Sequence, residues 1–238
     1  MNALAHFSIF PSVGTPRLRA SQWFLGLLVA IISVASYAQP VERAGLNALE
    51  TFVKSTSSGR AAFSQVVTGP TKDGQVGKSK TSSGTFEFQR PNRFKFVYKK
   101  PFEQSIVSDG QTLWLHDADL NQVTSRKLSQ VMGGTPAAII ASAADLKALE
   151  ADFTLAALPD KAGLQWVAAT PKSKDGQLQR ITMGLRQAAK GTELVQLEIL
   201  DSFGQNSVMT FTGFEVNPAL SAATFAFQPP AGADVIRQ

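Results

Sequence analysis

The chain has 238 residues, 44% hydrophobic and 17% charged, a composition typical of one or two packed domains and not of a disordered chain. It contains no cysteine. This excludes thiol nucleophiles, disulfides, Cys-ligated zinc, iron–sulfur clusters and the acylated cysteine of a bacterial lipid anchor. The only histidines are His6 and His116, too few for a His-rich metal centre. We therefore expect no metal, no cofactor and no enzymatic activity.

The N-terminal segment has the pattern of a secretory signal peptide. Trp23–Ala35 is a run of 13 residues without a charge, shorter than the about 20 apolar residues of a membrane-spanning helix. Arg17 and Arg19 precede this run, and Ser36 and Ala38 supply the small residues of a cleavage site. The pattern predicts cleavage after Ala38.

Cleavage would separate a signal peptide, residues 1–38, from a mature chain, residues 39–238, which we expect to form one exported domain. The signal peptide carries two arginines and no acidic residue, so the net charge falls from +5 to +3. This near-neutral balance gives little support for binding to nucleic acid. Two alternatives stay open: an uncleaved anchor, and a start codon further into the chain.

The mature chain begins with a predicted amphipathic helix, Val41–Lys54, and continues with strands. The helix is indicated by one apolar stripe, formed by Leu46, Leu49, Phe52 and Val53. Alternating apolar residues then predict strands separated by turns such as Asp109-Gly110. The predicted strands are Ala61–Val67, Thr85–Gln89, Arg93–Tyr98, Ser105–Val107, Thr112–His116, Gln122–Leu128, Phe153–Leu158, Leu164–Ala169, Gln179–Leu185, Leu194–Leu200, Ser207–Phe214 and Phe225–Gln228.

A helical insertion, Thr135–Ala144, interrupts this series, with Pro136 near its start. Asp145 is expected to cap a further short helical turn through Glu150. No linker or internal repeat divides the chain. The elements therefore predict a mainly β (α+β) fold, an unclosed and strongly curved antiparallel β-barrel of about eleven strands with helices over its open side.

Aromatic residues are concentrated on the predicted strands. Phe86 and Phe88 share one face of their strand, and Phe94 and Phe96 share one face of the next. Two interpretations stay open, because a curved sheet with large inward side chains is either a filled core or the wall of a lipid cavity. His116 shares a strand face with Trp114, and a lone histidine without a partner favours a packing or surface position over catalysis.

Short motifs spread over nearly the whole mature chain resemble those of the outer-membrane lipoprotein carrier family, LolA. Each motif is weak alone, but many occur in the same order. They are Phe63-Ser64-Gln65, Gly84 with Phe86, Arg90-Pro91-Asn92-Arg93-Phe94, Pro101, Val107-Ser108-Asp109-Gly110, Leu113-Trp114, Gln122-Val123, Thr135-Pro136, Leu164 with Pro171-Lys172, Asp201-Ser202-Phe203-Gly204-Gln205, Phe225-Ala226-Phe227-Gln228-Pro229-Pro230 and Asp234-Val235-Ile236.

The resemblance implies an unclosed eleven-stranded barrel with a helical lid and an apolar cavity. It implies a periplasmic chaperone that accepts acylated lipoproteins from an inner-membrane ABC exporter and delivers them to a LolB-like outer-membrane receptor. Arg90 would bond to the lid helices, through backbone carbonyls of the helical insertion around Thr135–Ala144, and control the lid. We expect a monomer without nucleic-acid partners whose lipid-binding residues are Phe86, Phe88, Phe94, Phe96 and Trp114.

Other functions remain open at this point. A LolA-like carrier of another lipid, such as a glycolipid or a pigment conjugate, would have the same sequence signature. A lipoprotein-sensing envelope regulator would need a second domain, and a LolB-type receptor would need a lipobox cysteine. A periplasmic hydrolase would have His116 as its only candidate base.

Overall fold

The computed structural model describes residues 41–131, 140–142 and 145–238, and all of them belong to a single compact unit. The predicted signal peptide, residues 1–38, lies outside the described residues. No helix within the described ranges has the length and apolar character needed to cross a membrane. The described residues form one twelve-stranded sheet and short helices.

The elements follow the predicted order with longer strands. The helices are α1 (Val41–Ser55), α2 (Leu128–Val131) and α3 (Leu146–Asp152). The strands are β1 (Ser58–Thr68), β2 (Ser79–Gln89), β3 (Arg93–Lys100), β4 (Gln104–Asp109), β5 (Thr112–Asp117), β6 (Gln122–Lys127), β7 (Phe153–Lys161), β8 (Leu164–Pro171), β9 (Leu178–Ala188), β10 (Gly191–Asp201), β11 (Asn206–Val216) and β12 (Asp234–Arg237).

The strand order in the sheet is β12-β6-β5-β4-β3-β2-β1-β11-β10-β9-β8-β7. Every neighbouring pair is antiparallel except β12 and β6, which are parallel. The sheet ends at β12 and β7, so the barrel is unclosed. The predicted fold class is therefore confirmed, with twelve strands in place of about eleven.

Helix α1 covers the inner face of the sheet at β7–β10. Leu49, Phe52 and Val53 are buried, as the apolar stripe predicts. A Cβ atom on Gly45 would collide with the main-chain oxygen of Trp166 on β8. Only glycine therefore allows the helix backbone to approach the strand this closely.

The predicted strand Phe225–Gln228 is wrong. Ala222–Phe225 is a 3₁₀ helix, and the last strand is β12. Phe225 and Phe227 are two residues apart, as in a strand, because both side chains pack against the outer face of the sheet. Phe225 is buried, and Phe227 stacks on Trp114. Pro229 and Pro230 follow directly, and their missing N–H groups do not favour a strand there.

The middle of the chain is helical where the structure describes it. Residues 140–142 of the predicted insertion are helical, and its other residues, 135–139 and 143–144, lie outside the described ranges. The predicted cap is confirmed, because Asp145 Oδ1 accepts a hydrogen bond of 2.8 Å from Ala148 N at the start of α3. Leu128, predicted as the end of a strand, begins α2 instead and is buried.

Candidate lipid-binding site

A continuous stack of aromatic rings lines the inner face of β2 and β3. Phe88 lies opposite Phe94, and Phe86 lies opposite Phe96, so all four side chains share one face. The ring centroids of Phe86 and Phe96 are 4.3 Å apart, and those of Phe86 and Phe88 are 5.6 Å apart. The structure thus brings together the four phenylalanines that the sequence proposes for lipid binding.

Neighbouring elements extend and cover this aromatic wall. Phe63 on β1 contacts Phe96 edge to face at 5.6 Å, and Phe211 on β11 lies 5.5 Å from Phe86. From α1, Phe52 packs on Phe88 with 6.1 Å between ring centroids. Phe52 of α1 therefore covers the wall at Phe88, and Phe63 of β1 and Phe211 of β11 cover it at Phe96 and Phe86.

The four phenylalanines are 0% to 5% exposed. Their rings pack against one another and, at Phe88, against Phe52 of α1, so they form part of a packed core. Of the two interpretations left open by the sequence, the structure has the packed core, and lipid binding by these residues stays a prediction.

Trp114, the fifth proposed lipid-binding residue, lies on the other face of the sheet. It pairs with Val107, which pairs with Lys95, and these positions point away from the face that carries Phe94. Its indole stacks on the ring of Phe227 at 5.7 Å. Both faces of β5 are apolar, and the structure assigns Trp114 to the outer one, where it packs under the C-terminal segment. It does not belong to the aromatic wall.

Arg90, in the turn between β2 and β3, connects the sheet to the helices. Its guanidinium donates hydrogen bonds to four main-chain oxygens: Phe52 (3.4 Å), Val53 (3.3 Å) and Thr56 from Nη1, and Ile140 (3.2 Å) from Nε. The sequence-based expectation placed these acceptors in the helical insertion. One of the four is there, two belong to the last turn of α1, and Thr56 directly follows α1.

The environment of the Arg90 side chain is apolar and partly unsatisfied. The guanidinium carbon lies 5.1 Å from the ring centroid of Phe52 and 5.2 Å from that of Phe88, within the range of cation–π attraction. Burial lowers the pKa of Arg90 from its ordinary value to about 10. Nη2 has no hydrogen-bond partner among the described residues. The closed arrangement thus combines several favourable contacts with a substantial desolvation cost.

Asn217, at the end of β11, also holds the end of α1, and sequence reasoning missed it. Its Oδ1 accepts hydrogen bonds from Ser57 N (2.7 Å) and Ser58 N (3.2 Å), and its Nδ2 donates to Ser55 O (2.8 Å). Its φ of +54° is a conformation that asparagine adopts more readily than most residues. The dipeptide Asn217-Pro218 is a turn signal that could have identified the position but not its partners.

Two cavities open on the inner side of the sheet. One, of about 800 Å³, lies between Leu113 and Leu115 on β5 and the β8–β9 connection around Asp175. The other, of about 610 Å³, lies at the ends of β2 and β3 remote from Arg90 and contains Tyr98 in its wall. Burial raises the pKa of Tyr98 to about 12. Both cavities adjoin the face that carries the aromatic wall, and neither lies under α1.

The described residues offer no group of three or more His, Cys, Asp or Glu side chains that could hold a metal ion. His116, the candidate base of the hydrolase hypothesis, is on the outer face beside Phe227, with 6.2 Å between the ring centroids. Its surroundings are those of a packing residue. The arrangement around the aromatic wall is suited to burying and releasing apolar surface.

Comparison with known proteins agrees with this geometry. Residues 54–228 match the family model described as "Outer membrane lipoprotein carrier protein LolA". The "Outer-membrane lipoprotein carrier protein" of Albidiferax ferrireducens is 66% identical over 209 residues, covering 88% of this chain and 98% of that protein. The protein of the same description from Leptothrix cholodnii is 50% identical over 208 residues, covering 87% of this chain and 92% of the relative.

Among solved structures, a LolA superfamily protein from Nitrosomonas europaea superposes with a TM-score of 0.44 at 12% sequence identity, covering 79% of this chain and 98% of that one. The family-model match spans most of the chain, and the curated relatives are covered over nearly their full length. The chain belongs to the outer membrane lipoprotein carrier protein LolA family.

Proposed function

We propose that the chain is a periplasmic chaperone that shields the acyl chains of lipoproteins and carries them to the outer membrane. The observation that carries this proposal is the aromatic wall formed by Phe86, Phe88, Phe94 and Phe96, which is buried on the inner face of the sheet and covered at Phe88 by Phe52 of α1. Membership of the lipoprotein carrier family supports it.

The physical task of such a carrier is to keep apolar chains away from water. Each exposed CH₂ group costs about 0.8 kcal/mol, so two or three acyl chains in water cost tens of kcal/mol. Stacked rings offer an extended apolar surface without fixed polar contacts, which suits chains of varied length. Binding and release require no covalent step, so the function is not enzymatic.

Arg90 controls the lid in this proposal. Its bonds to Thr56 and Ile140 connect the β2–β3 turn to α1 and to the helical residues 140–142. Main-chain bonds from the same turn reinforce the link: Arg90 N donates to Ser57 O at 2.8 Å, and Asn92 N donates to Ala141 O at 2.9 Å. These contacts favour the closed state, so they oppose cargo binding and assist its release.

An inner-membrane ABC exporter would load the chain, and a LolB-like receptor at the outer membrane would unload it. Transfer in this direction requires that the carrier bind cargo less tightly than the receptor does. The predicted signal peptide, residues 1–38, would bring the chain to the periplasm. Family membership supports both partners and the location.

The test is a release assay on spheroplasts. Purified mature chain is added outside the inner membrane, and the lipoproteins that appear in the supernatant are identified by mass spectrometry with their acyl groups. Phe96→Ser, which opens the buried wall, should release much less lipoprotein than the unaltered chain. The matched control is Phe203→Ser, since Phe203 is 68% exposed and its loss should change little. Recovery of a glycolipid without lipoprotein would contradict the proposal.

A further inference from the structure

The second cavity, here called the far-end cavity, is at the end of the barrel remote from Arg90. Its volume is about 610 Å³. The aromatic wall runs into it, because the Tyr98 ring lies 5.0 Å from Phe63 and 6.4 Å from Phe96. Phe102 and Leu120 also line it and are 67% and 70% exposed. The cavity therefore has an apolar floor and an apolar rim that faces solvent.

The charged residues of the far-end cavity are sorted by sign. Lys80 on β2 and Lys100 on β3 line one side. Glu103, Asp117 and Asp119, at the ends of β4 and β5, line the other. The two sides face each other across the inner surface of the sheet, since β3 and β5 are separated by one strand. Neighbouring strands lie about 4.8 Å apart, so β3 and β5 are about 10 Å apart.

The acidic side is held in place by the backbone and does not neutralise the lysines. Ala118 N donates to Glu103 O at 3.1 Å, and Leu120 N donates to Asp117 Oδ1 at 3.1 Å. Within the part of the chain that the structure describes, none of the five charged residues of this cavity forms a salt bridge. The lysines and the acidic residues are therefore both available to a ligand that carries one negative and one positive group.

We propose that the far-end cavity binds the zwitterionic headgroup of a phospholipid of the phosphoethanolamine type. Lys80 and Lys100 bind the phosphate, and Asp117 and Asp119 accept hydrogen bonds from the ammonium group. The first carbons of the acyl chains lie on Tyr98 and the apolar rim.

The charged residues of this site lie outside the buried wall and away from Arg90, so we expect their substitution to leave lipoprotein carriage intact. The headgroup has two sources: a lipid exposed at a bilayer surface, or a single lipid molecule. Both present the same chemistry to the cavity. A purely anionic lipid would satisfy only the lysines, so discrimination between zwitterionic and anionic headgroups is the signature of the two-sided arrangement.

The probe is dihexanoyl phosphatidylethanolamine below its micelle concentration, titrated into isotope-labelled mature chain and followed by NMR. The amides of Tyr98, Phe102 and Leu120 should shift with a saturable curve. Dihexanoyl phosphatidylglycerol, which lacks the ammonium group, should bind about tenfold more weakly, because charge-assisted hydrogen bonds are lost. Equal binding of the two lipids, or no saturable shift at these residues, would overturn the proposal.

Two double variants test the two sides. Lys80→Gln with Lys100→Gln, and separately Asp117→Asn with Asp119→Asn, should each weaken binding of the ethanolamine lipid about tenfold. The aspartate variant should leave the glycerol lipid unchanged. Unaltered binding in either double variant would refute the assignment of that side.

The matched control is Lys174→Gln with Lys190→Gln, which removes two lysines outside the cavity lining and should leave both lipids unaffected. Sedimentation with phosphatidylethanolamine/phosphatidylcholine vesicles identifies the source: pelleting indicates a bilayer headgroup, and monomer binding without pelleting indicates a single lipid. The spheroplast assay, run on the same variants, should stay normal. A loss of lipoprotein release without a loss of lipid binding would concern the proposed carrier function. A loss of lipid binding without a loss of lipoprotein release would concern this cavity alone.

Discussion

Replacing Arg90 with leucine should shift the chain towards its open state. The two shorter guanidinium contacts, to Thr56 O and Ile140 O, are charge-assisted and contribute about 1.5–3 kcal/mol each, about 3–6 kcal/mol together. These contacts are opposed by the desolvation of the guanidinium, which lowers the pKa of Arg90 to about 10 and is equivalent to about 3 kcal/mol. The difference favours the closed state by about 2 kcal/mol, a factor of about 30 in population.

A small difference of this kind is what a carrier needs. With Arg90→Leu, the closed state loses this advantage, so cargo binds a chain that is already open and its apparent affinity rises by up to about 30-fold. Loading should stay normal while delivery to the receptor falls. Arg90→Lys is the matched control: a single ammonium group keeps the charge but cannot bridge Thr56 and Ile140 together. It should give an intermediate delivery defect.

The assay is a two-step transfer that scores loading from inner membranes and delivery to outer membranes separately. Hydrogen exchange of the α1 amides, measured on cargo-free protein, reports lid opening directly and should become faster in Arg90→Leu. A urea melt checks that the sheet remains folded. Normal delivery together with unchanged α1 exchange would show that Arg90 does not hold the lid, and only the aromatic wall would remain in the mechanism.

Three further changes test the lid and the wall. Gly45→Ala should destabilise the chain by about 1–3 kcal/mol in a urea melt, because the new Cβ collides with Trp166 O; Gly176→Ala, whose Cβ would meet only Leu178 N at an ordinary contact distance of 3.9 Å, is the control, and equal stability of the two would contradict the close approach. Asn217→Ala should cost about 1 kcal/mol and speed exchange at the end of α1, since it removes the hydrogen bonds to Ser57 N, Ser58 N and Ser55 O; unaltered exchange there would argue against the clamp. Phe94→Glu should abolish lipoprotein release in the spheroplast assay or cost several kcal/mol of folding free energy, because it places a charge at a fully buried site; a folded, active variant would refute the assignment of the wall.

The sequence by itself determined strands β1–β11 and the sharing of faces by the four phenylalanines of the wall. Side chains alternate along a strand with a period of two, so Phe86 with Phe88, and Phe94 with Phe96, had to share faces. The Arg90-Pro91 turn placed the two strands next to each other. These are local properties of the chain, and they do not depend on how the sheet curves.

Alternation assigns side chains to two faces but does not say which face is concave. Leu113 and Trp114 are both apolar and adjacent, and only the position of Phe227 shows that Trp114 packs outside. The same limit explains the wrong strand at Phe225–Gln228, because residues that alternate against an existing sheet look like residues of a strand. The parallel pairing of β12 with β6 carries no local signal.

The contacts of Arg90 were likewise decided by the tertiary structure. Its acceptors lie 34 to 50 residues away, and they are main-chain oxygens, which every residue type possesses. The sequence therefore determined that an arginine stands in this turn, but not that the end of α1 reaches it. Long-range packing of α1 on the sheet brings the two together, because the free energy of burying Phe52 and its neighbours on the wall is gained only in the folded chain.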